Sequence, residues 1–199
     1  VVINGKSTMT GDSMYYDKKN GKMHAYNNIV YYDKGNKNLL TGDYCEYDDT
    51  TGYAMATKNA VVRDYSSPDT LFMHADTFKI FTYNIRTDSV YRLVHGYHKA
   101  RAFRSDVQSV CDSLKYDSKH KKMTMYGNPI VWNNNQQLLG EEIQVFMCDS
   151  TIDSVHVIRQ ALLAQQLDSA CYNQVAGREM YAYFNGGKLS WSKVLGNVD

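Results

Sequence analysis

Apolar and polar residues alternate with a period of two through most of this chain, and the alternation slips once inside each long segment. Leu71 and Met73 share the parity of Ala75, whereas Phe78 and Ile80 take the opposite one. Leu40 and Gly42 precede a slip to Cys45 and Tyr47, and Cys111-Asp112 precedes Leu114 and Tyr116. A period of two marks strands whose alternate side chains line one face. A single slip is what a bulge or bend produces, and Gly or Ala tolerates one best. Each long strand is therefore expected to turn a corner and to contribute to two facing sheets.

The slips recur. Gly11, Gly42, Ala75, Cys111, Gly140 and Gly177 stand 31, 33, 36, 29 and 37 residues apart, each followed by Asp or Glu except at Arg178. A period near thirty marks a repeat architecture of six imperfect hairpins. Asp17-Lys18-Lys19-Asn20-Gly21, Asp49-Thr50-Thr51-Gly52 and Asn185-Gly186-Gly187 read as type I turns closed by a left-handed residue. Asp117 to His120 and Asp149 to Asp153 are the same joint without Gly and are expected to be looser. Ile158–Asp168 has good helix formers but follows the alternating DSVHV, and it reads as strand. Tyr65–Asp69 is a loop by composition. Pro129 lacks an amide donor and belongs at a bulge or beside no partner.

Composition narrows the class. Tyr 17 and Pro 2, with frequent Val, Ile and Thr, favour strands. The 199 residues suit one domain, 1–199, able to bury roughly 70% of its unfolded surface. Lys+Arg 22 against Asp+Glu 21 leaves no basic block for nucleic acid or an anionic membrane. No apolar run reaches the ~20 residues of a membrane span. Val1 is not an initiator and Val194–Val198 looks like an interrupted strand, so native chain is expected beyond both ends. Cys45, Cys111, Cys148 and Cys171 allow three full pairings and have no metal-ligand spacing; they read as buried free thiols.

A small residue and Asp, alternation to Tyr-Asp, a turn, then Ala-x-x-Asn-x-Val is carried by Leu40, Gly42, Asp43, Tyr47-Asp48, Ala56, Asn59 and Val61. Gly11, Asp12, Tyr16-Asp17, Ala25, Asn28 and Val30 repeat it, as do Ala75 and Asp76, and Cys111, Asp112, Tyr116-Asp117, Asn128 and Ile130. The pattern resembles the OstA/LptA family, the periplasmic bridge proteins of lipopolysaccharide transport. VQSVCDSLKYD and GNPIVW are similar to the OstA-like variety of Bacteroidetes-type bacteria. The resemblance spans nearly the whole chain, and its strength lies in repetition; the longer Ser89–Arg104 segment and Arg178 depart from it. It implies an all-β, repeat-built jellyroll with open ends, periplasmic and Gram-negative, that shields acyl chains. It implies lipopolysaccharide or a related lipid as ligand, sister jellyrolls joined head to tail by strand addition, and outer-membrane biogenesis as setting.

An acyl methylene removed from water is worth about 0.8 kcal/mol, so a fourteen-carbon chain is worth on the order of 10 kcal/mol without polar recognition. The candidate groove lining is Met23, Leu40, Leu71, Phe78, Ile80, Leu114, Met125, Ile130, Trp132, Ile143 and Val145. The same residues would serve equally as a closed sandwich core, although Met 9 favours an adaptable cavity. Unpaired strand edges at the first and last hairpins suit self-association or a bridge. No catalytic residues, metal or cofactor are expected. His95 and His98 fall on opposite faces of a strand, and Asp12, Asp43, Asp76 and Asp112 recur at corners, where they are expected to bond backbone amides. The alternatives are a structural or adhesive β-repeat protein binding polysaccharide or a protein through Tyr-rich outer faces, and a glycan hydrolase with an isolated carboxylate pair.

Overall fold

A computed structural model of the chain describes residues 2–4, 7–35, 37–65, 69–85, 87–105, 107–133, 135–148, 151–169, 171–186 and 188–196. The chain divides into two compact units, Val1–Arg104 and Ser105–Asp199. Every pairing is antiparallel, and no helix occurs among the described residues. The first unit contains β1 (Val2–Asn4), β2 (Ser7–Thr10), β3 (Ser13–Asp17), β4 (Lys22–Asp33), β5 (Asn38–Asp48), β6 (Tyr53–Asp64), β7 (Leu71–Tyr83) and β8 (Tyr91–Arg104). Each strand from β4 to β8 pairs with the next, while β2 and β3 are the two halves of one bent strand lying along β4.

The second unit contains β9 (Val107–Asp117), β10 (Lys122–Tyr126), β11 (Ile130–Asn133), β12 (Gln136–Leu139), β13 (Glu142–Cys148), β14 (Thr151–Gln166), β15 (Tyr172–Asn185) and β16 (Lys188–Leu195). One half of β9 pairs β10 and the other half pairs β11. One half of β14 pairs β13 and the other pairs β12, with β15 and β16 following. These creased hairpins are the all-β jellyroll class read from the alternation. Ile158 to Gln166, where helix formers cluster, lies wholly within β14. Its helical propensity yields to tertiary pairing on both sides.

The crease itself has a different origin from the one the slips suggest. The extra residue sits on the strand opposite the small one. Asn27-Asn28, Lys58-Asn59, His98-Lys99, Gly127-Asn128 and Arg159-Gln160 all take left-handed φ between 49° and 76° (54 and 49, 58 and 58, 60 and 52, 76 and 55, 59 and 49). Tyr26 pairs Tyr44 but Ile29 pairs Gly42, so two residues of β4 face the single Asp43. The same slip separates Thr57 from Ala60 against β7, and Ile158 from Ala161 against β15. These are β-bulges, which bend the strand and sharpen its twist. Two successive left-handed residues cost roughly 1–2 kcal/mol each in most side chains and less in Asn, which supplies four of the ten.

Side-chain bonds hold the bends. Asn28 Nδ2 donates to Asp12 Oδ2 (2.9 Å) and Asn59 Nδ2 to Asp43 Oδ2 (3.0 Å). Glu141 accepts from Gln160 Nε2 (2.9 Å) and from Arg159 Nε. The corner carboxylates at Asp12 and Asp43 thus accept from side chains, rather than from backbone amides as the sequence led us to expect, and Glu141 accepts from side chains as well. The main chain closes the corner separately, Asp12 N donating to Asn27 O (3.1 Å) and Glu141 N to Arg159 O (3.1 Å).

The small residue answers this close approach. A Cβ on Gly42 would lie 3.4 Å from Thr57 O, and one on Gly140 would overlap Val157 Cγ1. Just beyond each left-handed pair stands a buried residue: Ile29, Ala60, Ala100, Pro129 or Ala161. Pro129 occupies the bulge position expected of a residue without an amide donor.

At the hairpin turns Asp17, Asp48 and Asp117 each accept two backbone amides through Oδ1, from Lys19 and Asn20, Thr50 and Thr51, and Lys119 and His120. The side chains of Asn20, Thr50 and His120 hold these three carboxyls below the usual aspartate range. Gly21 and Gly52 close two turns at φ 66 and 69, and Lys121 takes the same place at φ 48. Gly21, Gly52 and Lys121 carbonyls then accept Asp49, Thr82 and Met147 amides at 2.9–3.0 Å, so the turn without Gly has the same joint. Ser66–Pro68 of the expected loop, Asp149-Ser150, Gly187 and Asn197–Asp199 lie outside the described residues.

Replacing Asn59 tests the crease. Asn59→Val places a β-branched residue at φ 58 and removes the bond to Asp43, and urea unfolding should show a loss of about 2–3 kcal/mol. Asn59→Gly, which keeps the backbone and loses only the bond, should lose about 1 kcal/mol or less. Equal losses in the two variants would mean that the left-handed geometry is not what matters.

Candidate functional site: the creased inner faces

Register carries the buried positions from strand to strand in straight rows. In the first unit Ala25, Cys45, Ala56 and Phe78 are cross-strand neighbours and all lie at 4% exposure or less. One step along the strands, Met23, Tyr47, Ala54, Ile80 and Val94 form the parallel row. Past the crease Met9, Tyr31, Leu40, Val62, Met73 and Ala102 continue the same face. The two halves meet: Met9 and Ile29 pack with Ala25 and Cys45, joined by Met14, Met23 and Tyr31. The bend is what lets one strand present apolar residues to itself.

In the second unit Leu114, Met125, Ile143, Val157 and Met180 make a continuous row, each at 3% exposure or less. Met123, Val145, Val155 and Ala182 run beside it. Beyond the crease the buried residues Cys111, Pro129, Gly140 and Ala161 fix the inward parity, which Ser109, Val131, Leu138, Leu163 and Val175 continue.

Of the residues expected to line a groove, Met23, Leu40, Leu71, Phe78 and Ile80 fall on the inner face of the first unit, and Leu114, Met125, Ile143 and Val145 on that of the second. Ile130 and Trp132 do not join them. They alternate with Pro129 and Val131 and pair with Val110 and Gln108, in the rows facing away from the buried ones. The inward parity of Met123 and Met125 runs unchanged through Gly127-Asn128 to Pro129 and Val131, which leaves Ile130 and Trp132 outward. Val157 and Met180 were missed although they are among the most buried side chains. Their signal was alternation within β14 and β15, which becomes legible only once the strand register is known.

Apolar shelter is what these faces offer chemically. Among the described residues no three His, Cys, Asp or Glu side chains gather as metal ligands. His95 Nδ1 lies 3.0 Å from Tyr97 Oη, while His98 belongs to a left-handed pair. The carboxylates of Asp12 and Asp43 are engaged by Asn28 and Asn59 at the creases of successive hairpins, the same structural bond repeated rather than the isolated acid pair of a glycan hydrolase. The outer faces carry stacked rings instead: Tyr183 on Trp191 (centroids 4.1 Å apart) and His156 on Tyr181 (4.0 Å), with Glu179 accepting from Tyr181 Oη (3.3 Å) and lying 3.2 Å from His156 Nε2.

All four cysteines are free. Cys45 and Cys111 lie in the inner rows, and burial pushes their thiols up to about 12 and about 11. Cys148 and Cys171 are exposed. That corrects the expectation that the thiols would be buried: Cys148 ends β13, where the sheet face gives out.

No protein-family model matches the sequence, and no curated protein does. Among solved structures the chain is similar to LptH of Pseudomonas aeruginosa, the LptA-homologous periplasmic component of the lipopolysaccharide transport device. The two share 15% identity over 61% of this chain and 82% of that one, with a TM-score of 0.49.

Thiol chemistry reads the inner rows directly. At pH 8 a disulfide reagent should titrate Cys148 and Cys171 in the native protein, and Cys45 and Cys111 only after unfolding. Raised thiol pKa values leave almost no thiolate at that pH, and the thiolate is the nucleophile. Four equally fast thiols would show that the inner faces are open to water.

Proposed function

We propose that this chain is a non-catalytic lipid-binding protein of the Gram-negative periplasm. It shelters acyl chains of lipopolysaccharide or a related lipid between the halves of its creased hairpins, as one 1–199 domain in a transport bridge to the outer membrane. The observation that carries the reading is the unbroken apolar row Leu114–Met125–Ile143–Val157–Met180, matched by the Ala25–Cys45–Ala56–Phe78 row in the other unit. The hairpin pattern running through both units supports a single functional array.

Small and thioether side chains recur on these faces, which suits a lining that repacks around hydrocarbon. Hydrophobic transfer supplies affinity without headgroup contacts. It also supplies no release, so directional transfer requires a neighbouring groove. Among the described residues β16 pairs only β15, and an edge of this kind adds strands from a sister jellyroll or from a second copy.

The second reading, a β-repeat protein binding polysaccharide, is favoured by one observation. Trp191 is 53% exposed and stacked on Tyr183, an aromatic platform on the outer face. It predicts that Trp191→Ala weakens retention on a polysaccharide affinity gel while leaving lipid uptake unchanged.

For the lipid reading the probe is a fluorescent fatty acid titrated into the full chain. Val145→Asn puts an amide on the inner face, where leaving it unsatisfied against hydrocarbon costs about 1–3 kcal/mol; affinity should fall at least about fivefold. Ile130→Asn, in an outward row, should change it little. No uptake by the parent protein, or equal losses in both variants, would sink the groove, and mass spectrometry of copurifying lipid would name the cargo.

A further inference from the structure

The outer face of the first unit carries a feature that the inner rows do not explain. Around the junction of β4 and β5, Tyr32, Lys34, Lys37, Leu39 and Tyr65 line an open hollow of about 490 Å³. The register sets Tyr32 opposite Leu39 and Leu39 opposite Arg63, and Phe72 extends the row on the next strand. Tyr65 is drawn to this junction by its amide, which donates to Lys37 O (2.9 Å). Both tyrosines remain about two-fifths exposed (Tyr32 40%, Tyr65 39%), so their rings form walls rather than core.

The charge is one-sided. Lys34 and Lys37 are exposed, and among the described residues neither ammonium takes part in an ion pair. Lys37 is held at φ 54, a conformation usually given to Gly or Asn. Arg63 adds a third cation beside Leu39: its guanidinium lies over the Phe72 ring (5.7 Å), and its Nε is buried without a hydrogen-bond partner. The neighbouring carboxylates, Asp33 and Asp64, fall in the alternate row, both opposite Asn38.

We propose that this hollow binds an anionic sugar, a hexose bearing phosphate or carboxylate. Two tyrosine rings and Leu39 offer apolar surface to the C–H face of a pyranose, and the lysines act as point charges for the anion. The volume is in the range of small-molecule sites, roughly 300–1,000 Å³. Inorganic phosphate would use only the cations and an uncharged sugar only the rings, so the site selects for their combination. The sugar is either the head of a glycolipid or a residue of a free polysaccharide. Only the first of these rests on the lipid-carrier reading.

The test is calorimetry on the full chain with glucose 1-phosphate, glucose and inorganic phosphate. Glucose 1-phosphate should bind, with glucose and phosphate each about tenfold weaker or more. The double variant Lys34→Gln/Lys37→Gln should lose about tenfold, the order expected when charge-assisted hydrogen bonds are removed. Both positions are exposed, so folding should be unaffected by circular dichroism. Equal affinity in the double variant, or inorganic phosphate matching the sugar phosphate, would overturn the proposal.

A phosphorylated glucosamine disaccharide, compared with and without its acyl chains, separates the sources. The double variant should weaken both forms. A glycolipid source predicts tighter binding of the acylated form, and a polysaccharide source predicts equal binding. Ile80→Asn, on the inner face of the same unit, should weaken the acylated form alone. Loss only in Ile80→Asn overturns the sugar site and leaves the groove standing, while loss only in the lysine variant does the reverse.

Discussion

Two residues in left-handed conformation, facing one small residue across a strand pair, set the geometry on which the rest depends. Without the extra residue, a strand of twelve to sixteen residues such as β4, β6 or β14 would run straight and bury one face against nothing. With it, the strand bends while its own inward residues keep one parity (Met23, Ala25, Ile29 and Tyr31), and the parity resets on the facing strand, from Leu40 and Gly42 to Cys45 and Tyr47. Apolar residues on both halves then point toward one another. Met9 and Ile29 pack on Ala25 and Cys45 because the strand between them, β4, is creased at Asn27-Asn28.

The constraint is local and repeated, so the strain it involves is spread over the chain. Asn is well suited to the position because it tolerates left-handed φ and carries an amide that reaches the facing carboxylate. Asn28 with Asp12, and Asn59 with Asp43, are the same device one hairpin apart. Arg159-Gln160 with Glu141 performs it with longer side chains. These acids therefore serve the bend, and the chemistry of the inner face is left to hydrocarbon. Under the lipid-binding function proposed above, such a surface would select by area rather than by hydrogen-bond geometry. Cations and rings coincide instead at the Lys34–Lys37 hollow on the outer face of the first unit.

Much of the fold was legible beforehand because a β-strand writes its burial into every second residue. The slips at Gly42, Ala75 and Cys111 marked the creases, and the Asp-to-Gly turns marked the hairpin ends. Pro129 announced a bulge. Of the candidate lining, Phe78, Ile80, Leu114 and Ile143 lie in the inward rows, and Ile130 and Trp132, which follow Gly127-Asn128 by only a few residues, lie in the outward ones; the parity there depends on which strand holds the extra residue.

The sequence by itself determined that the chain is all strand, that it repeats near every thirty residues, and where each hairpin turns and creases. Those are local properties, fixed by alternation, by turn chemistry and by residues able to adopt positive φ. Only the tertiary structure decided which strand of each pair carries the bulge, that Asp12 and Asp43 accept from side-chain amides, and that Val157 and Met180 complete the buried row. Those facts belong to register, which is a relation between two strands, and no single strand contains it.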